Sequence, residues 1–190
     1  MPGPSRVEVA RFKPFYLGLF ASMALLVALP VLVAGRCGGP GARLPCPLGL
    51  LASIATAVLV AAGHELLHYL AARVMGVRGL RLVAHRGLAA VMMLYDYMVP
   101  RQYLAVALAP QILSVGLALL AYLASGPLRL LACIGLAANL AGGAPDVVNA
   151  LYFYLVHGSA ARFTLLYGED GSVAGGVVEY PDGRLVVYVF

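Results

Sequence analysis

The chain of 190 residues has no tryptophan, and only 11% of its residues are charged. A soluble domain carries about a quarter charged residues and roughly half apolar ones. Here the apolar fraction is 62% and the mean hydropathy is +0.91, the composition of a membrane protein. The length fits one compact helical domain. With tryptophan missing, any aromatic belt at the membrane interfaces must come from the 11 tyrosines and 6 phenylalanines. A basic stripe interleaved with aromatics is missing too, so the net charge of +5 reads as loop charge near lipid headgroups. A nucleic-acid partner is not expected. Nor does the chain carry an internal repeat or a low-complexity tract.

Cysteine is scarce. The three present match no zinc-binding cysteine spacing. Cys37 and Cys46 bracket the Gly/Pro-rich stretch "CGGPGARLPC". Either a disulfide closes this loop on an oxidising side of the membrane, or both remain free thiols. Cys133 lies in a later apolar run and is expected to be a small core residue.

Long apolar runs are what the chain does have. Four are long enough to cross a bilayer, which takes about 20 residues: Phe15 to Ala34, Leu48 to Val74, Tyr103 to Ala124 and Leu128 to Val156. The first follows Arg6, Arg11 and Lys13 but is too long for a signal peptide, so it reads as a retained helix. Four spans put the N-terminus, the second loop and the C-terminus on one side. Of the 13 lysines and arginines, only Arg36, Arg43 and Arg129 fall on the other. The positive-inside rule then predicts a multi-pass protein with both termini cytoplasmic and the Cys37–Cys46 loop outside.

Two segments have strand character. Between the second and third spans, Leu80 to Ala84 and Leu88 to Tyr95 flank His85-Arg86-Gly87 and read as a hairpin. Its second arm is apolar on both faces, so it must be covered by protein or dip into the membrane. The tail after residue 159 holds short β-like runs separated by "EDG" and "PDG" turn signals. The expected fold is therefore an α-helical membrane protein of about four transmembrane helices, with a membrane-associated β-hairpin after the second and a small C-terminal β segment. The expected division is a membrane domain over 1–158 and a cytoplasmic β-rich tail over 159–190.

Ionisable groups inside an apolar span are costly and therefore point to function. The second span contains His64-Glu65-Leu66-Leu67-His68, an HExxH pattern. Histidines four apart lie on one helix face, where both imidazoles can reach one ion. Zinc favours such ligands in a tetrahedral site that keeps one position open for water. Glu65, next to the first histidine, is placed to take a proton from that water. A catalytic zinc usually has a third protein ligand. The acidic residue inside another span is Asp146, in "NLAGGAPDVVNALY". Counted from the start of its span, it sits at nearly the depth of His64. Gly142, Gly143 and Pro145 are expected to loosen or break its helix, which is tolerated where backbone lines a polar cavity. Asn139 and Asn149 flank it and either bind substrate backbone or bridge helices. His85, Asp96 and His157 fall at membrane edges, where solvated groups are common.

"HELLH" in the second of four spans, with "GGAPD" in a later one, resembles the putative zincin peptidase family of small membrane proteins. It is more distantly similar to the site-2 protease group of intramembrane metalloproteases. The resemblance covers about residues 48 to 156. In the wider group the aspartate ligand belongs to an Asn-Pro pattern and is followed by glycine. Asn139, Pro145 and Asp146 echo that pattern, but Val147 follows the aspartate, which favours the smaller family. The resemblance implies Zn²⁺ held by His64, His68 and Asp146, Glu65 as general base, and hydrolysis of peptide bonds within or beside the membrane. The expected partners are the lipid bilayer and a membrane-protein or peptide substrate. A non-proteolytic metal sensor or transporter could use the same three ligands, and Glu65 discriminates between the two, since a pure binding site has little need of it. Haem is disfavoured, because adjacent turns of one helix cannot put two imidazoles on opposite faces of the ring.

Overall fold

The computed structural model describes residues 6–11, 17–18, 20–24, 46–85, 90–160, 162–167 and 173–189. The Cys37–Cys46 loop, most of the span expected at Phe15 to Ala34 and the tip of the hairpin lie outside the described residues. Within that first span, residues 17–18 and 20–24 are helical.

Four helices follow: α1 (Cys46–Val74), α2 (Pro100–Leu108), α3 (Gln111–Leu123) and α4 (Gly126–His157). Three segments are long and apolar enough to cross a membrane: Leu48–Val74, Pro100–Leu123, which joins α2 to α3, and Gly126–His157. Much of their surface is exposed leucine, isoleucine and valine, among them Leu59 at 72% and Leu155 at 78%. Exposed apolar surface of this extent marks a protein- or membrane-interaction surface.

The end of α1 is fixed by backbone chemistry. Gly76 takes φ +69°, a conformation open to glycine without strain. Its N–H then bonds the Arg73 carbonyl at 3.1 Å, and the Val77 N–H bonds Ala72 at 3.0 Å. This pairing closes the helix in a Schellman turn, and the accompanying apolar contact is buried Val77 beside buried Ala72. The chain leaves the turn directly into the hairpin β2 (Arg81–His85) and β3 (Ala90–Leu94), an antiparallel pair in which Arg81 faces Leu94. At the start of α2, the Gln102 side chain accepts from the Val99 N–H at 3.0 Å and donates to the Met75 carbonyl at 2.8 Å, tying α2 to the end of α1.

The tail forms β4 (Arg162–Tyr167), β5 (Val173–Glu179) and β6 (Arg184–Val189), successively antiparallel. A fourth strand that was not anticipated, β1 (Arg6–Arg11), pairs parallel with β6 and gives the order β1-β6-β5-β4. The sheet docks on the end of α4. His157 is buried there, with one ring nitrogen on the Tyr180 hydroxyl and the other 2.6 Å from the Tyr188 hydroxyl. This differs from the solvated edge position expected for it. One hydrophobic core spans the junction, with Ala72, Val106 and Phe153 from the helices against Phe163, Val178 and Val186 from the sheet.

Two other expectations are corrected. Cys133 is disulfide-bonded rather than an isolated core thiol. α4 runs unbroken through Pro145. Proline supplies no N–H to the carbonyl four residues back, here that of Ala141. The Ser22 hydroxyl, from the N-terminal helical stretch, donates to that carbonyl instead. The helix stays continuous because its orphaned acceptor has a partner.

Candidate metal centre

His64 and His68 project from one face of α1, and both side chains are buried. Each uses its Nδ1 on a fixed acceptor. His64 Nδ1 lies 2.9 Å from Asn139 Oδ1 on α4, and His68 Nδ1 lies 2.8 Å from the Val106 carbonyl at the end of α2. The residue four ahead of Val106 is Pro110, which has no N–H, so the Val106 carbonyl accepts only a long, shared bond from the Ala109 N–H at 3.3 Å and has a lone pair left for His68. Asn139 is itself anchored, its Nδ2 donating to the Pro110 carbonyl at 3.0 Å and to Ser114 Oγ at 2.7 Å. Ser114 Oγ in turn donates to Gln111 Oε1 at 3.1 Å.

An imidazole whose Nδ1 carries the hydrogen presents a bare lone pair at Nε2. The two Nε2 atoms face each other at 3.1 Å, and Asp146 Oδ2 lies 3.1 Å from that of His64 and 3.3 Å from that of His68. Three electron-rich atoms at such distances repel one another unless a cation joins them. Donors about 2.0–2.1 Å from a tetrahedral zinc stand about 3.3 Å apart. The donor set and its spacing therefore fit zinc, and among the described residues these three form a group able to hold a metal ion. The outer hydrogen bonds match the usual support of a metal-binding histidine, which fixes its tautomer and ring orientation.

Small residues make room for the arrangement. A Cβ on Gly143 would come within 3.2 Å of His64 Cε1 and 2.6 Å of Gln111 Nε2. Gly143 thus lets α4 approach the first histidine.

Glu65, next to His64 on α1, is exposed. It lines two cavities, one of about 290 Å³ between α1 and α4 and one of about 350 Å³ towards the β-strands. Asp146 lines both as well. Asn139 is 1% exposed and its amide is committed to His64, Pro110 and Ser114, so it reaches the site through His64. Asn149 lies almost one turn beyond Asp146 on α4; its Oδ1 is buried and has no hydrogen-bond partner among the described residues.

The sequence reading did not include Val106, Pro110, Ser114 or Gln111. Pro110, a helix breaker inside an apolar run, was the one visible signal that a carbonyl nearby would be free.

A family model described as putative zincin peptidase matches residues 57–160, which include both histidines, Glu65 and Asp146. No curated protein and no solved structure shows significant similarity to the chain.

Proposed function

Because the chain belongs to the putative zincin peptidase family, we propose that it is a membrane-embedded zinc metallopeptidase acting on membrane or membrane-proximal peptide bonds. The observation that carries this reading is the convergence of His64 Nε2, His68 Nε2 and Asp146 Oδ2, with both Nδ1 atoms already engaged. Zinc bound there supplies Lewis acidity and makes a water reactive near neutral pH.

The chain's own residues do the rest. Glu65 follows the first ligand and opens onto both cavities, so it can receive the proton of an attacking water and return it to the leaving amine. Asn139 and the Val106 carbonyl hold the imidazoles in the ligating tautomer. Asp146 contributes the negative charge that two neutral histidines lack. A substrate helix hides its carbonyls and must be extended before cleavage. The β3 edge turned away from β2 is unpaired among the described residues and offers main-chain groups to an extended segment.

We place both termini in the cytoplasm. The pairing of β1 with β6 keeps the two ends of the chain on one side, and that side carries most of the arginines.

The test is Glu65→Gln in the purified protein. It should keep stoichiometric zinc and lose at least about 100-fold in peptide hydrolysis, the usual contribution of a general acid–base group. Unchanged hydrolysis would remove Glu65 from the chemistry. Stoichiometric zinc with no hydrolysis of any peptide by the wild type would favour the sensor or transporter reading.

A further inference from the structure

The arginines are unevenly placed along the apolar helices. Among the described residues, Arg129 is the one at the end where α4 starts. At the other end, four arginines follow a line of backbone contacts. Arg73 lies in the last turn of α1 and Arg101 in the first turn of α2, at the limits of two segments long enough to cross a membrane. The bond from the Gln102 side chain to the Met75 carbonyl joins those two limits. Two residues before Pro100, Met98 pairs with Phe163 of β4 through backbone bonds of 2.9 and 2.7 Å. Beside this pair, the Arg162 guanidinium lies over the Tyr97 ring, 4.7 Å from its centroid. Arg78 stands opposite Tyr97 in an antiparallel bridge that extends the hairpin. Opposite residues of such a pair share a face, so Arg78 and Arg162 neighbour the same tyrosine.

All four arginines are exposed, and among the described residues none forms an ion pair with a carboxylate. The neighbouring carboxylates are Asp96, which lies against Gly79, and Glu179, opposite Arg162 in β5. They leave the rim with an excess of positive charge. Of the 13 basic residues in the chain, Lys13 alone is a lysine. A planar guanidinium holds phosphate through two parallel bonds, which an ammonium cannot do. The rim also carries the tyrosines of a membrane interface: Tyr97 under Arg162, and Tyr69 under Arg73, 6.0 Å from the ring centroid. The same end of α1 exposes Leu66, Leu70 and Val74. A molecule bound here meets positive charge and apolar surface together.

We propose that this rim is a binding site for anionic phospholipid, with Arg78 and Arg162 beside Tyr97 as the pair that contacts the phosphate. Arg73 and Arg101 add attraction along the helix ends, and the acyl chains lie on the exposed leucines of α1. Such a site is independent of peptide cleavage but requires the membrane placement of the helices. Charge complementarity argues for this occupant, because basic clusters at the end of a transmembrane helix attract anionic headgroups. A soluble phosphate ester would match the arginines alone, whereas a lipid also uses the apolar surface beside them. A headgroup seated there joins Arg78, which leads into the hairpin, to Arg162 of the tail sheet. The Met98–Phe163 pair links the same two parts.

The full-length protein in mixed micelles is titrated with fluorescent phosphatidylglycerol and, separately, with phosphatidylcholine of the same acyl chains. Circular dichroism is the folding check. Phosphatidylglycerol should bind at least about tenfold more tightly, since each arginine near the headgroups adds about a fivefold factor. Added salt should reduce this preference. The double substitution Arg78→Gln with Arg162→Gln should bring the two lipids within about threefold of each other. Should that protein not fold, Arg73→Gln with Arg101→Gln is the second route and should cut the preference severalfold. Arg129→Gln, at the other end of the helices, should leave it unchanged. Equal binding of the two lipids by the wild type would overturn the site. So would a preference that survives in a folded double variant, or one that falls as far in Arg129→Gln. Glycerol 3-phosphate separates the two sources of phosphate: it should not displace the lipid at equal concentration, and displacement would assign a soluble ester instead. Release of the chain from membranes by salt without detergent would overturn the membrane placement itself. Lipid selectivity in a protein that hydrolyses no peptide would count against the peptidase reading and leave the lipid site standing.

Discussion

His68 Nδ1 lies 2.8 Å from the carbonyl of Val106, which lacks the usual donor four residues ahead because residue 110 is proline and whose helical partner is the Ala109 N–H, at 3.3 Å and shared with Ala105. The break between α2 and α3 is thus part of the metal centre. Ala109 and Pro110 already have dihedrals close to helical, with φ −54° and −65°. In Pro110→Ala the new N–H can therefore bond Val106 and compete with His68. The expected result is a folded protein whose zinc affinity falls about tenfold, the lower end of the effect of losing a group that orients a metal ligand. Competition with a chromophoric chelator measures it; an unchanged affinity would mean that the Val106 carbonyl does not orient the ring.

Asn139 plays the same part for His64, and its amide also spans α2–α3 and α4 through Pro110 and Ser114. Asn139→Leu keeps approximate volume and removes every one of these bonds. Zinc affinity should fall about 10–100-fold. Asn139→Asp, which retains an acceptor for Nδ1, should recover part of it. Equal losses in the two variants would point to general disruption of packing instead of loss of the Nδ1 contact.

The grouping of His64, His68 and Asp146 was legible because ionisable groups in an apolar span, at helical spacing, have few other uses. The hairpin was legible from its apolar arms, and β2 and β3 fall within a residue or two of the runs that predicted them. What held the site together was not legible. A carbonyl freed by proline, an asparagine spent on a histidine and a serine that repairs a second proline are tertiary facts, and no local pattern encodes which carbonyl meets which donor. The strand β1 was hidden for a similar reason. Six residues alternating in polarity are too short to distinguish from a basic leader until β6 offers them an edge.

Ser22 and Pro145 give a prediction about stability. Ala141 is 4% exposed, so its carbonyl cannot turn to water when the serine hydroxyl is removed. Ser22→Ala should destabilise the protein by about 1–3 kcal/mol, the usual cost of an unsatisfied buried polar group. Ser22→Thr keeps the hydroxyl and should lose much less. Reversible unfolding in mixed micelles reads the difference, and equal stability of the two variants would remove this contact from the account of α4.

The sheet is coupled to the long apolar helices through His157. Its neutral ring has one donor and one acceptor nitrogen, so one tyrosine hydroxyl donates to it and the other accepts. His157→Leu leaves an apolar group between those hydroxyls. Hydrogen exchange should rise in β5 and β6 while α1 keeps its protection and zinc remains bound. Loss of zinc in the same variant would show that sheet docking also supports the metal centre, three turns away along α4.

Gly143 tests how closely α4 must approach the first ligand. A methyl group at this position meets two neighbours of different kinds. Gln111 Nε2, at 2.6 Å, is the end of a flexible side chain and can swing aside. His64 Cε1, at 3.2 Å, belongs to a ring held on one side by Asn139 and on the other by the shared ligand point, so it has little freedom. Gly143→Ala should therefore be tolerated in folding but should shift His64 by a few tenths of an ångström, with a severalfold loss in zinc affinity. Gly143→Val adds two methyl groups in the same place and should lose zinc at stoichiometric concentrations while the helices remain folded by circular dichroism. The graded order glycine, alanine, valine is the diagnostic result. If all three proteins bind zinc equally, His64 is not confined by α4, and the centre is assembled from α1 with less help from its neighbour than the contacts indicate.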